Sequence, residues 1–452
     1  MARLLQFYSK KEKVATLNFD RQPTITPIAS RIATRYHRDM FLFRLMLLTV
    51  AVFGAIGPAR AQLHHPFLNE SSLALSQASD LKTFATTLAD RHKNPWANVK
   101  ADVFADACAE VFSQADNLDQ TAFYFALCRL AALMGDSHTT VTASTAVASS
   151  MRYLAIQLTP IGGRHVVTAI ASPYADLVGG CVTAINGTPI EEASRVLASY
   201  VSADNEVWRM QQCARLMRNA SALGHCRIID QVGSCLFTIT TDGQEIEVTI
   251  PLAEPGMEYS YLQTNRPPTS PGTEFYRIVD MGTSAVVFIQ YNQCSEDNAY
   301  PLDDFNADIE QAIMAKHPQK VIVDLRYNGG GDSRLFEPTV KLLGRLQKSY
   351  GFQLFALIGS STFSSAILNA LHLKARTDCT LAGTPSGGSA SHYGEVKRFT
   401  LPASLHQVGY STKYFHADGA PDGSLMPDVE IELDTEDIRN GIDTVVETIV
   451  RL

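Results

Sequence analysis

The 452-residue sequence lacks several things, and each absence removes a class of function. Its eight cysteines form no C-x-x-C pair and keep no metal-binding spacing with histidine, so a zinc centre is not expected. It has no basic stripe, and its formal net charge of -8 argues against a nucleic-acid partner. Its one strongly apolar N-terminal run, Leu45 to Ile56, is short for a membrane span. With Arg44 ahead of it and an A-R-A step ending at Ala61, the run has the build of a signal peptide; left uncleaved, it would act as a tether. Residues 1–39 are basic and patternless, as if translation began at Met40. The remainder is expected in an exported compartment, periplasmic or secreted. There Cys213, Cys226 and Cys235 are near enough for one local bridge, with lone buried thiols the equal alternative.

What is present is a chain with 46% hydrophobic residues, enough for two or three cores. Apolar residues recur at three and four from about Leu68 to Met134, which predicts a small helical domain over 62–145 that ends in G-D-S-H. Residues 150–255 read as a separate mixed domain. It has two strands around Gly162-Gly163, a long helix from Asn205, and a hairpin turned at Asp242-Gly243. The prolines of 256–273 suggest a linker. From 274 to 452 strands and helices alternate, which gives an α/β layered core.

Two stretches of that core carry chemistry. In Q-L-F-A-L-I-G-S-S-T-F-S-S-A, a buried strand ends at Ile358 and a tight connection delivers Ser364 to the start of a helix, where unpaired N–H groups and the macrodipole favour a reactive hydroxyl. Ser364 is thus either a nucleophile or an ordinary helix cap. In K-V-I-V-D-L-R-Y-N-G-G-G a β-branched strand runs into three glycines, whose open backbone can present N–H groups to a carbonyl oxygen. Asp324 and Arg326 in that stretch suit an ion pair that braces the loop.

Taken together, Asp324-Leu325-Arg326-Tyr327-Asn328-Gly329-Gly330 followed by Thr362-Phe363-Ser364-Ser365-Ala366 resembles the C-terminal processing (tail-specific) serine peptidases and their tricorn-core relatives. The resemblance implies a ClpP/crotonase-like α/β core, a PDZ-like insert on the strength of G-G-C-V-T-A-I-N-G-T-P-I, a polypeptide substrate and no cofactor. It assigns His138 of G-D-S-H as general base and Ser137 as a residue that helps to hold it. Gly329 or Gly330 together with Ser365 would form the oxyanion hole. Asp422 is the candidate orienting group, with Glu395 as its competitor. The lysine base of other members is missing, since Ser389 stands at its position; Lys374, Lys397 and His392 remain as rival bases. The insert would hold an extended peptide or serve as a spacer. Some relatives of this fold carry apolar ligands without hydrolysis, so an inactive binding protein is the alternative function.

Overall fold

The computed structural model describes residues 76–419 and 422–452. The signal-like segment and its upstream stretch lie outside the described residues. Three helices come first: α1 (Gln77–Arg91), α2 (Ala101–Phe112) and α3 (Gln120–Ala132). A capping box at Ser76 starts α1, and the Asp119 carboxylate caps α3 by accepting from Ala122 N–H. Phe84, Leu88, Phe104, Phe123 and Leu127 are buried, as the spacing predicts. Beyond α3 the chain turns through 135–139 into strand β1 (Thr140–Thr142), and a short helix α4 (Thr145–Ser150) follows.

The next section is built on a sheet of β2 (Ile156–Ile161), β3 (Arg164–Ala171), β4 (Cys181–Ile185), β5 (Thr188–Pro189), β6 (Cys235–Thr241), β7 (Gln244–Ile250) and β8 (Tyr259–Tyr261). Its main path runs β2-β3-β4-β6-β7, so β2 is an edge strand. Helices α5 (Ile190–Ala198), α6 (Glu206–Met217) and α7 (Ala220–His225) accompany it. The β6–β7 hairpin turns at Asp242 (φ 50) and Gly243 (φ 76), the left-handed pair a two-residue hairpin requires. The stretch read as a linker contains β8, a three-residue strand ahead of its prolines, which pairs with β3 at Ala169–Ala171.

The last section is a twisted sheet ordered β16-β13-β12-β11-β10-β9. Its strands are β9 (Tyr276–Val279), β10 (Val286–Tyr291), β11 (Lys320–Asp324), β12 (Gln353–Ile358), β13 (Cys379–Gly383) and β16 (Val429–Glu430), parallel except for β9. Helices α8 (Leu302–Lys316), α9 (Glu337–Tyr350) and α10 (Ser365–Arg376) make the successive crossovers. Period-two alternation sorts the sheet's two faces. Val321 and Val323 pack with Phe305, Ile309 and Leu343 of the crossover helices, while Ile322 packs with Val445, Val446 and Ile449. Those last three belong to α12 (Thr444–Arg451), which follows α11 (Thr435–Arg439).

A separate hairpin of β14 (His392–Thr400) and β15 (Gln407–Phe415) pairs with β1, so a strand from the N-terminal section is tied to the C-terminal one. All eight cysteines are free thiols, and the local bridge open to Cys213, Cys226 and Cys235 is not formed.

Candidate active site

Parallel strands gather function at their carboxyl ends, and both chemistry-bearing loops leave the sheet there. After β12 the chain turns sharply, and Thr362 fixes the turn: its hydroxyl donates to Leu325 C=O at 2.8 Å and accepts from Gly359 N–H at 2.9 Å. The turn places Ser364 immediately before α10 with φ 53 and ψ −123, a left-handed conformation that is costly for a side-chain-bearing residue. The Ser364 side chain makes no capping bond, so the cap reading does not describe it. Its Oγ instead lies 2.9 Å from His138 Nε2, bridging 226 positions of sequence.

His138 reaches that spot because β1, two residues on, pairs with β15. Its ring stacks on Phe363 (centroids 4.6 Å apart) and on His392 (5.5 Å). Burial pushes its pKa down from the ordinary imidazole value; the Asp136 carboxylate pulls it up, His392 pushes it down, and the balance is about 4. At neutral pH the ring is uncharged and able to accept a proton.

The carboxylate beside this base is Asp136, which the sequence reading left out. Its Oδ1 lies 3.8 Å from His138 Nδ1 and accepts the His138 backbone N–H at 2.9 Å. Its Oδ2 accepts from Thr139 Oγ1 (2.6 Å), Ser411 Oγ (2.7 Å) and His92 Nε2 (3.0 Å). His92 Nδ1 accepts Asn94 N–H, which leaves the ring proton on Nε2, directed at Asp136. Burial raises the Asp136 pKa, but the His92 hydrogen bond, the His138 charge and the Thr139 hydroxyl outweigh it and hold it at about 2. Asp136 is therefore a fixed anion with one oxygen turned to the base.

Neither residue expected to orient the base is at the imidazole. Glu395 is about half exposed on β14 and pairs with Lys413 at 2.6 Å; Asp422 is exposed in the loop before β16. A surface carboxylate is screened by water and cannot fix a buried ring. Ser137 is buried, and its hydroxyl acts on the Asp204 carboxyl and not on the imidazole, so it is adjacent in sequence without holding the ring. Of the rival bases, Lys374 pairs with Asp428 and Lys397 is exposed. His392 donates its Nδ1–H to Ser389 C=O at 2.9 Å and stacks on His138, but the nitrogen at Ser364 Oγ is that of His138.

The glycine loop lies against the serine. An added Cβ on Gly330, whose φ is +107, would sit 2.8 Å from Ser364 Cβ and 3.1 Å from Ser365 N, so only glycine fits. The Gly330 N–H is already committed to Asn328 Oδ1 at 2.8 Å. The Gly329 N–H remains open as a candidate donor, together with that of Ser365 in the first turn of α10, where N–H groups have no intrahelical acceptor. Arg326 binds Asp324 through two bonds and Asp443 through two more, so the expected brace exists and has a third member.

One more segment comes close. Trp208, on α6, stacks on Phe363 at 4.3 Å, and Asn205 Nδ2 donates to Gly387 C=O (2.9 Å) and Ser389 Oγ (3.1 Å). Beside them Asp204 is pushed up to about 6 by burial, against the pull of the Ser137 and Ser389 hydroxyls.

No family model matches the sequence, and a search among curated proteins finds no match. Solved structures do resemble it. Mature CPAF complexed with lactacystin shares 14% identity, with 83% of this chain and 97% of that chain covered at a TM-score of 0.61. Mature CPAF alone gives 15% identity, 81% and 94% coverage and a TM-score of 0.59. The photosystem II D1 C-terminal processing protease gives 13% identity, 82% and 99% coverage and a TM-score of 0.39, too distant to build upon. The first two show that this chain, over about four fifths of its length, shares an α/β fold with nearly the whole of CPAF.

Proposed function

We propose that a chain with the CPAF fold and a serine held against a buried neutral histidine is a serine-type peptidase, hydrolysing peptide bonds through an acyl-enzyme on Ser364. The observation that carries this reading is the 2.9 Å contact of His138 Nε2 with Ser364 Oγ, made by a serine in a strained turn at a helix start. Ser364 attacks the peptide carbonyl as His138 Nε2 takes its proton. The imidazolium so formed is stabilised by Asp136, whose charge is in place before the reaction. Gly329 and Ser365 N–H groups receive the oxyanion. The protonated His138 then gives its proton to the leaving amine, and a water activated by the same nitrogen releases the acid product.

The resemblance in sequence and the shared fold both support a polypeptide substrate. The leader-like N-terminus supports action in an exported compartment. A pure carrier of apolar ligands has no physical need for a strained serine, a neutral buried base and a glycine that no other residue can replace.

The test is cleavage of an unfolded model protein by the purified chain and by its Ser364→Ala and His138→Ala variants, with new termini mapped by mass spectrometry. Both variants should lose about 10⁴-fold or more in turnover. Wild-type protein that cuts no substrate between mildly acidic and alkaline pH would overturn the reading and favour the binding-protein alternative.

A further inference from the structure

Helix α6 presents Trp208, Gln211, Arg215 and Arg218 at intervals of three and four, on or just beyond a single face. The face begins at the active site: Trp208 stacks on Phe363, next to the serine, and Gln211 Nε2 donates to Ser360 Oγ at 2.5 Å. Farther along, the two arginines line a cavity of about 420 Å³. The opposite wall is made of the catalytic loops themselves, Arg326 and Tyr327 from the glycine loop and Gly359 to Ser361 from the turn before Ser364.

The charge of this cavity is one-sided. Among the described residues three arginines line it and no carboxylate does. Arg326 is neutralised by Asp324 and Asp443, but Arg215 reaches only the neutral Gln212, and Arg218 lies over the Tyr153 ring with its Nε buried and unbonded. A buried guanidinium N–H without an acceptor is costly until one arrives. The cavity also does not end at the arginines. Gln157, Thr159, Arg326 and Tyr327 pass it on to a second cavity of about 700 Å³ beside edge strand β2, where Arg266 is a further cation and the one lining carboxylate among the described residues, Asp443, is held by Arg326.

We infer that this cleft is a substrate subsite for the carboxylate side chain of an aspartate or glutamate in an extended polypeptide, bound by Arg215 and Arg218. The inference rests on the peptidase reading and adds its substrate class. A side chain fits better than a chain terminus because the cleft continues past the arginines along β2, so a bound strand has room to run on. Trp208 and the arginines are seven and ten residues apart, about 10 to 15 Å along the helix at 1.5 Å per residue. An extended chain covers that in about three to five residues, which sets the distance of the acidic position from the scissile bond.

The experiment uses fluorescein-labelled peptides, C-terminally amidated apart from one neutral control with a free carboxylate, in which one glutamate, or its isostere glutamine, is moved along an otherwise neutral sequence. Anisotropy with the full chain carrying Ser364→Ala reads binding without hydrolysis; kcat/KM with the wild-type chain supplies the register. Glutamate should bind about tenfold or more tighter than glutamine at one position three to five residues from the cut, as a charge-assisted pair implies. That advantage should weaken with salt. It should vanish in Arg215→Gln combined with Arg218→Gln, with the neutral peptide unaffected. Arg215 is exposed, so Arg215→Gln alone keeps the test readable if Arg218 proves necessary for folding, and it should lose part of the advantage.

Equal binding of glutamate and glutamine at every position overturns the inference, as does a preference that survives the double substitution. A preference shown only for a free terminal carboxylate over the amide overturns it too. Failure of the peptidase reading looks different: the wild-type chain would turn over no peptide while the Ser364→Ala protein still discriminated.

Discussion

Replacing Asp136 by asparagine should slow hydrolysis about a thousandfold while leaving substrate binding nearly unchanged. The reasoning is electrostatic and specific to the reacting state. His138 is neutral at rest and becomes a cation only on taking the Ser364 proton, so the attraction of Asp136 Oδ1 at 3.8 Å acts on the barrier and not on the ground state. At an effective dielectric constant of about 20 that attraction is about 4 kcal/mol, which converts to about three powers of ten in rate. The substitution has a structural side as well. Thr139 and Ser411 hydroxyls can rotate to accept from an amide, but His92 cannot, because Asn94 N–H holds its Nδ1. A folded variant is therefore established first, by its thermal melt and by near-ultraviolet circular dichroism. Pre-steady-state acylation of an activated ester then isolates the step. Acylation by folded Asp136→Asn protein within tenfold of wild type would refute the argument.

Four further outcomes follow from the site. Because burial holds His138 at about 4, the acid limb of the kcat/KM profile should have its midpoint well below the ordinary imidazole value of about 6.5; a midpoint at or above that value contradicts the burial argument. The same depression makes the unfolded chain the better proton binder between about 6.5 and 4, so this group's contribution to stability should be present above that window and be lost as pH falls through it, measurable by urea titration at stepped pH. Gly330→Ala should cost about 1–3 kcal/mol of stability and most of the activity, since its Cβ meets Ser364; a fully active variant would show that the loop does not lie where it is described. Lys374→Ala should leave turnover unchanged, because that ammonium pairs with Asp428 on the surface; a large loss would reinstate a lysine base.

The parts of this protein legible in its sequence are those encoded locally. The strand, turn and helix around Ser364 are written in consecutive residues, as are the glycine loop and the Asp242-Gly243 hairpin, and each lies where its pattern places it. The orienting carboxylate was not legible in the same way. It was sought downstream, at Asp422 or Glu395, whereas Asp136 stood within the G-D-S-H stretch already singled out. Two residues' separation on a tight turn gives no sign that a side chain doubles back on its neighbour. His92 carried no signal at all, since only the packing of the segment after α1 against Ser411 brings it to Asp136. The oxyanion assignment was refined by one hydrogen bond, Gly330 N–H to Asn328, which no spacing rule reveals. The β8 strand was hidden because three residues are too few to show a period.

The base and the nucleophile are 226 positions apart, and their contact closes a very long loop. In a flexible chain such a closure costs about 5 kcal/mol of entropy, recovered only when the sheets and the β1–β15 pairing have formed. If Ser364 and His138 act as proposed, hydrolytic competence belongs to the last stage of folding: a nascent or partly unfolded chain would have a serine without a base, unable to attack the unfolded neighbours among which it is made.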